Sequence, residues 1–210
     1  MNGAKTVPDA IVQWGRSLFE RGLTPGSSGN ISTRDSGGMW LTPTNSCLGF
    51  LDAGRLSRLD LSGAHVGGDK PTKELPLHQA FYDARPETGA VVHLHSTYAT
   101  ALSCLADTDP FDAIPSITPY IVMRVGRVPV LPYARPGAPE IAGILRQHAI
   151  DCTAVLLGNH GPVVAAPTLE AAIFAIEELE ETAKLILLTR GLPVRHLSPA
   201  QVDELRQVFR

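Results

Sequence analysis

The sequence predicts an α/β fold: a single domain with a mixed, largely antiparallel central sheet flanked by helices. Short apolar runs of strand length alternate with amphipathic stretches of helix length. Two of the runs, 30–33 and 39–42, are spaced as an antiparallel hairpin about Ser36-Gly37-Gly38. No internal repeat or low-complexity linker divides the 210 residues, so one domain is expected to span 1–210.

Residues 8–21 read as a helix, with Ile11, Trp14, Leu18 and Phe19 on one stripe, Pro8 in the first turn and Gly22 as the stop. A Gly/Ser loop, 25–29, leads into the hairpin. A second helix starts near Glu74, because Pro76 is tolerated only in a first turn; Leu77, Phe81 and Ala84 then share a face and Pro86 ends it. Glu74 is thereby placed at a helix mouth. Residues 89–95 read as a buried strand closed by His93 and His95, and Ser96 as the cap of a helix carrying Ala99, Leu102, Ser103 and Leu105. Further strands are expected at 120–125, 127–131, 153–157 and 162–165, with a helix at 139–148. The longest helix, 168–190, has a Thr168 cap, apolar positions at Ala172, Ile176, Leu179, Ala183 and Ile186, and Gly191 as its stop. Ser198-Pro199 opens a last amphipathic helix with Val202, Leu205 and Phe209.

Composition narrows the function. Lys plus Arg number 18 against 21 Asp plus Glu, a net charge of −3 with no long block of one sign, which argues against nucleic acid or an acidic membrane as partner. A chain of this size should remove roughly 70% of its unfolded surface from water, so it needs no structural metal or disulfide, and any metal is expected to be catalytic. The segment after Met1 has neither a secretory h-region nor an Arg-rich presequence, and the most apolar run, 154–166, is broken by Asn159 and His160 and too short to span a bilayer. A soluble, cytoplasmic protein is expected. Cys47, Cys104 and Cys152 are odd in number and lack a CxxC, which suggests reduced thiols with packing roles.

His93 and His95, two residues apart in an expected strand, project from one face and can ligate one ion, although this spacing alone is a weak signal. A third histidine sits in Gly158-Asn159-His160-Gly161, a turn between two apolar runs where the glycines leave room around the imidazole. Three neutral imidazoles and an open position make a catalytic zinc set; histidines satisfied by carbonyls are the competing explanation. His65, His78, His148 and His196 lack comparable context and read as ordinary histidines. Three segments are rich in amides and hydroxyls: 24–30 with Ser28, Gly29 and Asn30, 42–46 with Thr44 and Asn45, and Thr72-Lys73 before the Glu74 helix. Each alone fits a plain turn, but convergence on one pocket would make a phosphorylated substrate the natural ligand.

In this order, the Ser28-Gly29-Asn30-Ile31-Ser32 loop, Thr42-Pro43-Thr44, Thr72-Lys73-Glu74, His93-Leu94-His95 and His160-Gly161 resemble the motifs of the class II (zinc-dependent) aldolase and adducin-head family across nearly the whole chain. The resemblance implies that family's three-layer fold and a homotetramer with sites between subunits. It also implies a divalent metal, Zn2+ or another such as Mn2+ or Co2+, on His93, His95 and His160, with Glu74 as a further ligand or as the catalytic acid/base. Tyr120 aligns with a tyrosine that the aldolases supply to an adjacent subunit's site as a proton donor. Retention of all three histidines weighs against the nonenzymatic adducin branch.

Within the family, Glu74 stands where the ribulose-phosphate 4-epimerase branch usually has Asp, and Thr72-Lys73 stands where the fuculose-phosphate aldolases have two serines. The added positive charge suits a more anionic substrate. Segments 70–78, 118–126 and 176–184 look like the 3-oxo-tetronate 4-phosphate decarboxylases. The implied reaction removes the carboxylate of a 3-oxo-4-phosphotetronate, a phosphorylated four-carbon sugar acid, and yields dihydroxyacetone phosphate and CO2 through a metal-bound enediolate. An aldolase acting on L-fuculose 1-phosphate would pass through the same species with a different leaving group. Arg124 and Lys73 are the candidates for recognising the carboxylate, with Lys73 shared with phosphate; surface ion pairs are the competing explanation.

Overall fold

A computed structural model describes residues 6–209; the outermost ends of the 1–210 domain span, including the segment just after Met1, lie outside the described residues. Helix α1 (Val7–Glu20) starts on a Thr6 cap that accepts from Asp9 N, with a proline in the first turn. It leads through the 24–29 loop into the hairpin β1 (Asn30–Asp35) and β2 (Gly38–Leu41). Strands β3 (Ser57–Leu59) and β4 (His65–Gly67) follow, then α2 (Leu75–Ala84), β5 (Ala90–His93) and α3 (Thr97–Cys104). The second half runs α4 (Pro119–Arg124), β6 (Val130–Leu131), α5 (Pro139–Ala149), β7 (Ala154–Leu157), β8 (Gly161–Ala166), α6 (Leu169–Leu188) and α7 (Pro199–Val208).

The eight strands form one sheet in the order β4-β3-β2-β1-β5-β8-β7-β6, antiparallel everywhere except at β6–β7. Its middle strands are buried on both faces, and the two-residue side-chain period assigns each residue to a layer. Ala90 and Val92 of β5, Ala154 and Leu156 of β7 and Val164 of β8 pack with α1, α3, α4, α6 and α7. Val91, Val155, Leu157, Val163 and Ala165 pack on the other face with Leu77 and Phe81 of α2 and Ile141 and Leu145 of α5. The result is the expected three layers, with a mixed, largely antiparallel sheet between helices.

Four local expectations are corrected. Residues 120–125, read as a strand from their β-branched run, form helix α4. Thr118 caps it by accepting from Ile121 N, Pro119 occupies the first turn, and Gly126, at φ +77, ends it with its N–H on Ile121 O. The expected strand 127–131 shrinks to two residues, because Pro129 offers no N–H and Val128 bonds instead to Asp112 and Ala113. The β5 strand ends at His93, so His95 lies beyond it. Ser96 occupies the N-cap position of α3 without a capping bond; the buried Glu180 carboxylate on α6 accepts from Tyr98 N (2.9 Å) and Ala99 N (2.8 Å) in its place. The three cysteines are free thiols. Strands β3 and β4, each of three residues, had no expectation attached to them.

Candidate metal centre and active site

The centre of the sheet brings the three histidines together. His93 ends β5 on the α2 side and is completely buried; it pairs across the sheet with Asn30 on β1 and Val163 on β8. Its Nδ1 is 2.9 Å from Pro162 O, and since a carbonyl only accepts, Nδ1 carries the hydrogen and Nε2 presents a lone pair to the cluster. His95 Nε2 lies 3.2 Å from His93 Nε2. His160 comes from the β7–β8 turn, where Asn159 takes a left-handed conformation (φ 55) and Gly161 (φ +145) passes so close to β5 that a Cβ would sit 2.4 Å from Leu94 O. One donor atom from each imidazole falls within 4.8 Å of the others.

Glu74 stands at the mouth of α2, as the Pro76 argument requires. Its Oε2 is 3.5 Å from His93 Nε2 and accepts from Asn30 Nδ2 at 2.8 Å, while its Oε1 is 3.4 Å from His160 Nε2. Among the described residues, Glu74 Oε1 and His160 Nε2 are buried polar atoms with no hydrogen-bond partner. Burial alone would push the Glu74 carboxyl up, but His93 and His160, the Asn30 bond and His78 together hold it below its ordinary value. Burial also pushes the imidazoles down: His93 to about 4, with His95 and His160 lowered as well, the last two helped by the nearby Lys73 cation. At neutral pH the cluster is three neutral imidazoles around a carboxylate. That donor set, with its two orphaned atoms facing one point, fits a divalent ion with N and O preference.

The histidine cluster opens into a cavity of about 230 Å³ lined by all three amide-rich segments: Ser27, Ser28, Gly29 and Asn30; Pro43, Thr44 and Asn45; Thr72, Lys73 and Glu74; with His95, His160 and Pro136. The predicted convergence is therefore met. Gly29 (φ +78) lets its loop approach β5, where a Cβ would lie 2.9 Å from both His93 O and Thr24 Oγ1. A pocket smaller than the 300–1,000 Å³ usual for drug-sized ligands, and rich in donors, suits a small anion.

Tyr120 and Arg124 are not brought to this cavity within one chain. Both lie on α4, where the Arg124 guanidinium stacks over the rings of Tyr120 (5.7 Å) and Phe174 (5.6 Å). Arg124 also borders a separate, larger cleft of about 640 Å³ with Arg85, Arg127 and Arg206, which holds none of the metal-type ligands. Inside a single subunit Arg124 therefore does not border the histidine cavity, because helix α4 packs it against Phe174 of α6.

Three polar residues escaped the sequence reading. His78, fully buried, places Nε2 2.5 Å from Asn30 Oδ1 and Nδ1 2.7 Å from Ser32 Oγ, which in turn lies 2.8 Å from Tyr82 OH. The available signal was helical spacing: His78 is four residues after Glu74 and Tyr82 four after His78, on one face of α2.

Among known proteins, the chain is 52% identical over 196 residues to the 3-oxo-tetronate 4-phosphate decarboxylase of Pectobacterium atrosepticum, covering 93% of this chain and 90% of that one. It is 33% identical to an L-fuculose phosphate aldolase of Haemophilus influenzae over 207 residues, 97% of this chain and 93% of that one. The crystal structure of YgbL from Klebsiella pneumoniae superposes with a TM-score of 0.92 at 49% identity, over 95% of this chain and 97% of that one. Residues 9–187 match the Class II Aldolase and Adducin N-terminal domain, so that the histidine cluster, its carboxylate and the sheet that assembles them place this chain in the class II aldolase and adducin family.

Proposed function

We propose that the chain is a metal-dependent carboxy-lyase that decarboxylates a 3-oxo-4-phosphotetronate to dihydroxyacetone phosphate and CO2. The observation that carries this reading is the contrast in similarity: 52% identity to a protein named for that reaction against 33% to a fuculose phosphate aldolase, each over nearly the full chain. Lys73, beside the metal cluster, supports a substrate with two anionic ends.

His93, His95 and His160 would hold the ion, Zn2+ or another divalent metal such as Mn2+ or Co2+, and bound there it would supply Lewis acidity to the C3 carbonyl, which takes up the electron pair of the breaking C1–C2 bond. The Ser28-Gly29-Asn30, Thr44-Asn45 and Thr72-Lys73 segments bind the phosphate through amides, hydroxyls and one cation. C1 leaves as CO2, and a proton must be delivered to C2. Glu74 Oε1, unpartnered and facing the cluster, is the atom placed to move it, and Tyr120 of an adjacent subunit is the second donor. Carbon and charge balance: the carboxylate substrate plus one proton gives the three-carbon ketose phosphate and CO2. The assembly is a homotetramer and the compartment the cytoplasm, with no nucleic acid or membrane partner; no described helix is long and apolar enough to cross a membrane.

A coupled dihydroxyacetone phosphate assay on 3-oxo-4-phosphotetronates tests the reading. Stoichiometric CO2 is the expected companion product. Turnover of L-fuculose 1-phosphate with release of an aldehyde, and none of the tetronate, would replace the decarboxylase with an aldolase.

A further inference from the structure

A chain of four side-chain hydrogen bonds runs from the core to Glu74, and its direction can be derived. Glu74 is a carboxylate and can only accept, so the Asn30 amide must turn its Nδ2 toward Oε2 and its Oδ1 toward His78. Asn30 Oδ1 then requires a donor, and His78 Nε2 at 2.5 Å must carry the hydrogen. Burial in the apolar interior pushes the His78 pKa down to about 3, so the ring is neutral and its Nδ1 is an acceptor. Ser32 donates to it at 2.7 Å, and the remaining lone pairs of Ser32 Oγ accept from Tyr82 OH at 2.8 Å. Reversing any one link would set two donors or two acceptors against each other in a buried site, where unmade hydrogen bonds are costly. The chain therefore has one self-consistent polarity.

We infer that His78 is a positioning residue acting through Asn30: it locks the orientation of the Asn30 amide, which pins Glu74 Oε2 and leaves Oε1 alone to face His160 and the metal position. This rests on the metal-centre reading above and deepens it. Asn30 and His93 are register partners on adjacent strands, so the same β1–β5 pairing that aligns the amide also aligns a metal-type imidazole. His78, Ser32 and Tyr82 are all buried and none of them lines the substrate cavity. Their role is carried wholly by the chain of bonds.

The test reads the affinity of the metal-free protein for Zn2+ alone, by competition with a chromophoric chelator, which is independent of what the substrate is. His78→Phe keeps a ring in the space but offers Asn30 no donor; His78→Gln restores an N–H near the Nε2 position. His78→Phe is expected to weaken Zn2+ binding about 10–100-fold, the usual range for groups that orient a ligand, while His78→Gln recovers most of the loss. In an Asn30→Ala background His78→Phe should cost nothing further, since its route to Glu74 is already cut. In the dihydroxyacetone phosphate assay the single His78 variants should lower kcat more than they change KM. Equal losses in Phe and Gln, or losses that multiply with Asn30→Ala, would overturn the positioning role and leave His78 a packing residue. If His78→Phe does not fold, Ser32→Ala is put through the same cycle, with a smaller loss that vanishes in Asn30→Ala expected and a multiplying loss overturning the inference. A wild-type protein that binds Zn2+ but does not turn over the tetronate would fail the decarboxylase reading and leave this inference intact.

Discussion

Glu74 Oε1 faces His160 Nε2 at 3.4 Å, and neither atom has another partner among the described residues. With His160 neutral and Nε2 free of hydrogen, as ligation of a cation by that atom requires, lone pairs on Nε2 and Oε1 confront each other inside the protein. Such a contact is unfavourable alone and favourable around a cation.

Metal should therefore stabilise the folded state measurably. Divalent ion at about a hundredfold over its Kd adds about 2.7 kcal/mol, or a rise of about 5–10 °C in Tm for a chain of this length. His95→Ala should abolish both the rise and the bound metal, read by calorimetry and elemental analysis, while circular dichroism stays native. An unfolded His95→Ala protein would show that the site supports the fold, contrary to the expectation that the core suffices.

Acid should destabilise the metal-free protein in a defined window. His93 and His78 titrate at about 4 and about 3 when folded, below the 6.5 of an unperturbed imidazole, so between these limits the unfolded chain binds more protons than the folded one. Stability is then full above pH 6.5 and declines as pH falls toward 4, with a slope on the order of 1 kcal/mol per pH unit for each histidine. The lowered Glu74 pKa acts in the same direction at still lower pH. Denaturation midpoints measured in chelator across this range should fall with pH; a flat profile would mean that the imidazoles are solvated.

Glu74→Gln removes a proton-moving group but keeps its shape and a polar end near Asn30. Turnover should fall roughly 10²–10⁴-fold with substrate binding retained far better. Unchanged kcat would transfer the acid/base role to Tyr120.

How much of this was legible follows from how local each signal is. Glu74 at a helix mouth, the His93/His95 pair and His160 in a Gly-flanked turn are each marked by residues immediately around them, and the sheet centre follows from apolar runs such as 162–165. Ile121, Val122 and Val125 favour a strand by composition, whereas the Thr118 side-chain cap and Pro119 in the first turn make the segment helix α4. His78 looked ordinary because its partners, Asn30 and Ser32, are 48 and 46 residues away in sequence. The Glu180 cap on α3 spans 82 residues, beyond the reach of any local pattern.

Gly29→Ala should injure the site through the backbone. A non-glycine residue at φ +78 costs about 1–2 kcal/mol, and the added methyl would press on His93 O and Thr24 Oγ1 at 2.9 Å. The loop must move away from β5, so KM for the phosphorylated substrate should rise while metal content stays stoichiometric. An unchanged KM would remove this loop from phosphate binding.

Arg124 decides where the carboxylate is recognised. Inside one chain it stacks on Tyr120 and Phe174, away from the histidine cavity, so it can reach substrate only across a subunit boundary. Arg124→Met should then raise KM for the phosphotetronate and lower kcat/KM by about one to two orders of magnitude, the scale of a charge-assisted bond of about 1.5–3 kcal/mol, and leave dihydroxyacetone phosphate binding nearly unchanged. Subunit mixing supplies the geometric half of the test. In tetramers reassembled from equal amounts of Arg124→Met and His95→Ala chains, about a quarter of the sites would pair an intact histidine set with an intact neighbouring Arg124, and activity should return. No recovery in verified mixed tetramers, or equal losses for substrate and product, would assign Arg124 to the fold of α4 rather than to the site.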